Sequence, residues 1–233
     1  GDRVMAFLDH ARGGALADYA VCAVASAAKI PDSMPMEEAA AIPLAGSTAL
    51  QSLRNHAKLK RGQNVLINGA SGGVGMFAVQ LAKAYGCHVD AVASAKNREF
   101  CMSLGADHFY DYEHDDFRKS RERWDIIFDV AGKAHYLDAR AVLKEGGHFV
   151  STEPNIEGML VSLLTWPLSK SGRIMLAVPS GDDLRELIRL YELGELRVTI
   201  DSQFPFEKAA DAHRRVESGV EHGKVVLTNS HAT

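Results

Sequence analysis

Between residues 64 and 178, short β-branched and apolar runs alternate with stretches of helical period, the β-α-β rhythm that produces a parallel sheet. Strands are predicted at Asn64–Asn68, Cys87–Ala93, His108–Tyr110, Asp125–Asp129, His148–Ser151 and Arg173–Val178. Six strands complete a doubly wound α/β sheet. After the first of them, Val74, Phe77, Ala78, Leu81 and Ala82 recur at the spacing of one buried helix face, and Gly86 supplies the stop. Weaker helical patterns at Asn97–Leu104 and Ala134–Leu143 are followed by Gly105 and by Gly146-Gly147 as stop signals.

The flanks have a different pattern. Val4–Phe7 and Leu16–Val21 are predicted strands separated by a Gly13-Gly14 turn, and Pro35 with Glu37 and Glu38 marks a helix start. Towards the end, Leu184, Leu187, Ile188 and Tyr191 share one face of a helix over Asp182–Leu193. Val198–Asp201, Glu207–Val216 and Lys224–Leu227 then suggest strand, helix, strand. These flanks form a second, incomplete unit beside the α/β core.

Composition narrows the function classes. A formal charge of -4 without a long basic run removes the electrostatic footprint expected of a nucleic-acid binder or an anionic-membrane binder, leaving a small molecule as the expected partner. No apolar run reaches the roughly 18 residues of a membrane span. Cys22, Cys87 and Cys101 form an odd set without paired spacing, so a reducing, cytoplasmic setting is expected. The start Gly1-Asp2-Arg3-Val4 lacks the parts of a signal peptide and has the character of the interior of a longer protein.

The chemistry-bearing motif is Gly69-Ala70-Ser71-Gly72-Gly73-Val74-Gly75, which leaves a predicted strand and enters a predicted helix. There, backbone N–H groups and the helix dipole can receive a pyrophosphate. With Ala70 in the first glycine position, Ala70, Gly72 and Gly75 fit the dinucleotide pattern of tight turn, backbone approach and close helix packing. The same string also fits a hydrolase nucleophile elbow, with Ser71 as nucleophile and Asp129 with His148 or His222 as partners. An elbow, however, requires neither Gly75 nor a polar, basic end to the second strand. The short-chain dehydrogenase spacing is met too, but that chemistry needs a lysine four positions after a tyrosine, and Tyr136, the nearest case, is followed by Arg140.

NAD-selective units carry an acid near the end of the second strand, about 20 residues past the glycines, to bind the ribose hydroxyls. Here Ser94, Lys96 and Asn97 occupy that region, offering a hydroxyl, a cation and an amide to a 2′-phosphate, so NADPH is the expected cofactor. Asp90 lies on the same strand with the same parity, four residues short of its end, and is not expected to reach the ribose.

These residues resemble the zinc-independent quinone oxidoreductases of the medium-chain dehydrogenase/reductase superfamily. The likeness runs through Gly1–Val4, Ala17–Tyr19, Glu38–Leu44, Thr48-Ala49, Val65–Gly75, Val79–Lys83, Leu104–Asp107, Asp111-Tyr112 and Gly223–Leu227. It implies a six-stranded Rossmann domain over 47–179, a partial β-rich GroES-like catalytic domain over 1–46 whose first part would precede Gly1, and a return segment over 180–233. It implies further that Thr48 lies near the nicotinamide end, that Ser71, Gly72, Gly73 and Val74 cradle the pyrophosphate, and that Val130 and Ser151 line the cofactor cleft. Ser94, Asn97 and Tyr112 would surround the 2′-phosphate, with Lys96 beside them. No cysteine or histidine spacing fits a structural zinc. The implied activity is NADPH-dependent hydride transfer to a quinone or conjugated enone, with no catalytic residue assigned. An enoyl thioester reductase and a non-catalytic NADPH-sensing protein stand as alternatives. Relatives pair as homodimers through their sixth strands, and Arg173–Val178 is apolar enough to do so.

Overall fold

The computed structural model describes residues 1–8, 14–153, 156–165 and 167–229. The chain divides into two compact units, residues 48–176 and residues 1–47 with 177–233.

The N-terminal part of the split unit begins with β1 (Val4–Ala6), which pairs antiparallel with β2 (Ala27–Lys29), Met5 opposite Ala28. The Arg3 guanidinium donates to the carbonyls of Pro31, Asp32 and Met34, fixing the following loop. Leu16–Val21 forms no strand: Leu16, Tyr19 and Val21 are 55%, 92% and 87% exposed. Apolar residues in a short segment do not make a strand unless a neighbouring edge accepts their backbone groups. Of the expected turn, Gly13 lies outside the described residues. Helix α1 (Met36–Ala41) follows Pro35 with Glu37 and Glu38 in its first turn, where the helix dipole favours them.

Helix α2 (Pro43–Gln51) continues as a π-helical turn over Ser52–His56. The α/β unit then alternates β3 (Asn64–Asn68), α3 (Gly75–Ala84), β4 (His88–Ala93), α4 (Arg98–Ser103), β5 (His108–Asp111) and β6 (Trp124–Asp129). It continues through α5 (Tyr136–Ala139), β7 (Leu143–Ser151), α6 (Ile156–Thr165) and β8 (Ser171–Ile174). All six strands are parallel, in the order β5-β4-β3-β6-β7-β8. Chain order reverses between β3 and β6, and that switch point is where an open α/β sheet leaves a crevice above its strand ends. Leu66, Val92, Trp124, Ile127 and Phe149 pack one core of this sheet, while Phe77, Ala78, Leu81 and Ala82 of α3 have no exposed surface.

Three features of the α/β unit differ from the sequence pattern. The helix expected over Ala134–Leu143 is only α5 and a 3-10 turn at Arg140–Val142, because β7 starts at Leu143. Gly146 is therefore not a helix stop: at φ 79° it sits inside β7, in the bulge where the register with β6 jumps from Trp124–Leu143 to Ile126–His148. β8 ends at Ile174 rather than Val178, because its neighbour β7 ends at Ser151, the register partner of Ile174.

Returning to the split unit, α7 (Gly181–Glu192) is capped by Ser180, whose hydroxyl accepts from the Asp183 N–H at 3.2 Å. It buries Leu184, Leu187 and Ile188, and Leu187 lies so close to Gly46 that a Cβ there would stand 2.9 Å from its Cδ1. β9 (Ile200–Pro205) and β10 (Lys224–Thr228) pair in parallel, connected through α8 (Ala209–Glu217). The guanidinium of Arg215 on α8 holds both carboxylate oxygens of Asp201 on β9.

Candidate nucleotide-binding site

The turn that follows β3 is shaped by what its glycines exclude. Gly69 adopts φ 89°, open to glycine but strained for other residues, and a Cβ there would lie 3.0 Å from the Ala131 backbone nitrogen. Gly69 and Ala70 donate their N–H groups to the Val92 carbonyl of β4, each at 3.0 Å, and the Gly72 N–H returns to the Gly69 carbonyl at 3.1 Å. At Gly75, the first residue of α3, a Cβ would stand 2.0 Å from the Gly69 carbonyl oxygen. A Cβ at Gly72 would meet that same oxygen at an ordinary 3.4 Å. Gly75 thus seats the helix on the turn, while Gly72 leaves space. The N–H groups of Ser71, Gly73 and Val74 have no backbone partner among the described residues. Unpaired donors at the head of a ten-residue helix, beside a glycine that leaves room, fit a pyrophosphate.

At the end of β4, Ser94 and Asn97 are both buried, and the Asn97 side-chain amide donates to the Ser94 hydroxyl at 3.1 Å. Lys96 between them is exposed. Tyr112 comes alongside because its N–H donates to the carbonyl of Ala93, the residue before Ser94, and the residue is 61% exposed. Arg98 adds a second cation, its guanidinium 5.4 Å above the Phe109 ring. Asp90 faces the core, where its carboxylate accepts the Trp124 indole N–H at 2.8 Å. The strand therefore ends in polar and cationic groups, and its one acid serves the core.

Across the switch point, the Asn68 amide at the end of β3 donates to the Asp129 carboxylate at the end of β6, 2.8 Å away and fully buried. The other Asp129 oxygen accepts the Ala134 N–H at 3.1 Å. Burial pushes this carboxyl above the usual carboxylate range; the hydrogen bonds from Ala134, Asn68 and Lys133 oppose that rise, and the charge of Glu153 adds to it. The N–H of Val130 donates to the Asn68 carbonyl, so the loop after β6 is tied to the root of the glycine turn. Ser151 pairs with Asp129 in the β6–β7 register, and its hydroxyl accepts the Glu153 N–H at 3.2 Å. Thr48 lies buried on α2, apart in sequence from the strand ends that carry the other positions. Two of the groups that a nucleophile elbow would use have other partners: Asp129 is engaged by Asn68 and Ala134, and His148 Nδ1 lies 2.8 Å from the Ser171 hydroxyl.

Sequence reasoning missed two contacts of this region, Asn68 with Asp129 and Arg98 with Phe109. Asn68 and Asp129 lie 61 positions apart, and no local pattern pairs them before the sheet is assembled. Arg98 follows Lys96-Asn97 directly, and its aromatic partner appears only once β5 is placed beside β4.

Comparison with known proteins identifies the fold. Residues 104–227 match the family model of the zinc-binding dehydrogenases. The chain is 36% identical over 240 residues to a chloroplast envelope quinone oxidoreductase homologue of Arabidopsis thaliana, covering 97% of this chain and 72% of the relative. The chain belongs to this family. It is thus an oxidoreductase of the medium-chain dehydrogenase/reductase superfamily, with an NAD(P)H-binding Rossmann fold. An NADPH-dependent alkenal/one oxidoreductase of the same plant, chloroplastic by name, is 32% identical over 92% of this chain and 53% of its own. The quinone oxidoreductase structure from Coxiella burnetii superposes with a TM-score of 0.78 at 32% identity, over 86% of this chain and 63% of that one.

Although the family is that of zinc-binding dehydrogenases, the described residues do not fit a zinc ion. Among the described residues no group of three or more histidine, cysteine, aspartate or glutamate side chains is placed to hold a metal. Cys87 and Cys101 are buried, and burial raises both thiols, Cys101 to about 12. The relatives also correct the expected cytoplasmic setting, since these plant relatives are named for the chloroplast. Cysteine spacing bears on disulfide chemistry and gives no address. No helix among the described residues is long and apolar enough to cross a membrane.

Proposed function

We propose that this chain binds NADPH and transfers hydride to a quinone or conjugated enone. The observation that carries the cofactor choice is the end of β4, where Ser94, Asn97 and Lys96 gather beside Tyr112 while Asp90 is turned to Trp124. The backbone of Ser71, Gly73 and Val74, with the room left at Gly72, would hold the pyrophosphate, and Ser94, Lys96, Asn97 and Tyr112 the 2′-phosphate. Val130 and Ser151 would orient the nicotinamide end, with Thr48 near it. NADPH supplies the hydride when bound. The protein's part is to fix the nicotinamide face and exclude water, which calls for positioning groups more than for a dedicated base. The name of the alkenal/one oxidoreductase supports the enone side of this reading, and that of the Arabidopsis homologue the quinone side.

Residues 1–47 with 177–233 supply part of a GroES-like catalytic domain in this reading, and β8, the last strand of the sheet, pairs two copies edge to edge. Leu176, 62% exposed just beyond β8, would be covered in that pairing. Light scattering at micromolar concentration should return a dimer; a monomer removes this part.

Fluorescence titration with NADPH and NADH tests the cofactor. NADPH should bind at least about tenfold more tightly, a difference of about 1.4 kcal/mol. Tighter binding of NADH would overturn the assignment. A panel of quinones, enones and enoyl thioesters then tests the acceptor, and exclusive use of enoyl thioesters would replace this reading by an enoyl reductase.

A further inference from the structure

A group of cationic and titratable side chains converges away from the glycine turn. In the β7–β8 register His148 pairs with Ser171 and Val150 with Arg173, which puts His148 and Arg173 on one face of the sheet. His56 ends the π-helical turn, and Lys58 and Lys60 stand on the connection into the start of β3, at the end of that strand opposite the turn. The π-helical turn that ends at His56 packs against β7, the strand that carries His148. Burial, then the charges of Arg173 and Lys58, push the His56 imidazole below its ordinary range. Burial, then Arg173, Lys58 and Lys60, do the same to His148.

No carboxylate is among the charges acting on either imidazole, in a chain with 30 acidic and 26 basic residues. Asp125 of β6 is already held by the Asn64 N–H and by Lys144 Nζ, each at 2.8 Å. The Ser171 hydroxyl faces His148 Nδ1 at 2.8 Å.

Two backbone irregularities frame this group. The turn Ser52–His56 is π-helical, a form that is rare and concentrated at functional sites. Lys58 has φ 55°, and among the described residues it is the one non-glycine residue at positive φ. Glycine would occupy that position without strain, so a lysine is kept there against the local backbone preference. The end of a helix favours nearby cations, which accounts for His56 and Lys58. It does not account for Lys60, His148 and Arg173, which come from the connection and from the sheet.

We propose that His56, Lys58, Lys60, His148 and Arg173 form a second anion site, for a divalent oxyanion of the phosphate or sulfate class. A bound dianion relieves the repulsion among these groups, takes charge-assisted hydrogen bonds from the guanidinium and ammonium donors, and favours the protonated imidazoles. Binding therefore strengthens as pH falls and the two histidines gain their protons.

Inorganic sulfate, whose charge is constant across this range, is the probe. It is titrated into the whole chain at ionic strength balanced with sodium chloride, with the imidazole resonances of His56 and His148 and the thermal midpoint as readouts. The expected result is a rise in both imidazole pKa values, a higher midpoint, and affinity about tenfold greater near pH 6 than near pH 8. Lys58→Gly relieves the backbone strain, so it should keep the fold while weakening sulfate binding about tenfold. Gly72→Ala should leave sulfate binding at this site unchanged, which separates it from the pyrophosphate turn. An equal response to sodium chloride alone, unmoved imidazoles, or full binding in the Lys58→Gly variant would each overturn the proposal.

Discussion

Two alanine substitutions in one turn should fail in opposite ways. At Gly75 a Cβ would lie 2.0 Å from the Gly69 carbonyl oxygen and 2.8 Å from the backbone of Ala70. A carbon–oxygen contact needs about 3.3 Å, so helix and turn would have to part by more than about 1 Å, and backbone cannot rotate away as a side chain can. Overpacking of this kind costs about 3 kcal/mol, which for a protein of this length lowers the thermal midpoint by roughly 6–12 °C. At Gly72 the nearest atom would be 3.4 Å away, and its φ lies outside the left-handed range, so Gly72→Ala should change stability by less than about 0.5 kcal/mol. The added methyl would instead occupy the approach to the helix head. Loss of one charge-assisted hydrogen bond there is worth about 1.5–3 kcal/mol, or roughly 10- to 100-fold in NADPH affinity. Differential scanning fluorimetry and NADPH fluorescence titration on both variants provide the measurement. A Gly75→Ala protein that melts with the parent, or a Gly72→Ala protein that binds NADPH as the parent does, would refute the division of labour.

Lys96→Ala should weaken NADPH about fivefold to tenfold and leave NADH unchanged, and a parallel loss for both cofactors would show that Lys96 does not read the 2′-phosphate. Asp90→Ala should cost about 1–3 kcal/mol in chemical denaturation, because the buried Trp124 N–H loses its acceptor, and a neutral result would remove that pairing from the core. Asp129, raised chiefly by burial, binds its proton more tightly folded than unfolded, so its contribution to stability falls as pH rises from the unfolded to the folded pKa. Asp129→Asn should flatten that decline in urea titrations run upward from about pH 4, beyond a constant offset for the altered hydrogen bonds; an unchanged slope would count against it. Asp201, lowered by its hydrogen bonds to Arg215, has the opposite sign, and Arg215→Ala should remove stability that the parent loses only as the medium becomes acid.

What was legible in the sequence is what local stereochemistry determines. The order of strand, glycine turn and helix from Asn64 to Ala84 follows from apolar periodicity and from positions that only glycine fits, and the structure reproduces it closely. Features that depend on a distant partner were not legible. Whether Leu16–Val21 forms a strand depends on an edge to pair with, and Gly146 resembles a helix stop until β6 lies beside it and its residue is seen to form a bulge. Asp90 shows the same limit in a useful direction. Its parity made it a rival ribose ligand, and only Trp124, 34 positions away, reveals that it belongs to the core. The end of β8 likewise depends on where β7 stops.

The close approach of Ala131 to Gly69, together with the Val130 N–H held by the Asn68 carbonyl, has a consequence for protein engineering. Grafting only the string from Gly69 to Gly75 into another scaffold would carry the phosphate donors without the wall against which they are set. The transferable block is both strand ends at the switch point, 64–75 with 126–134, and a change of size in one loop calls for a matching change in the other.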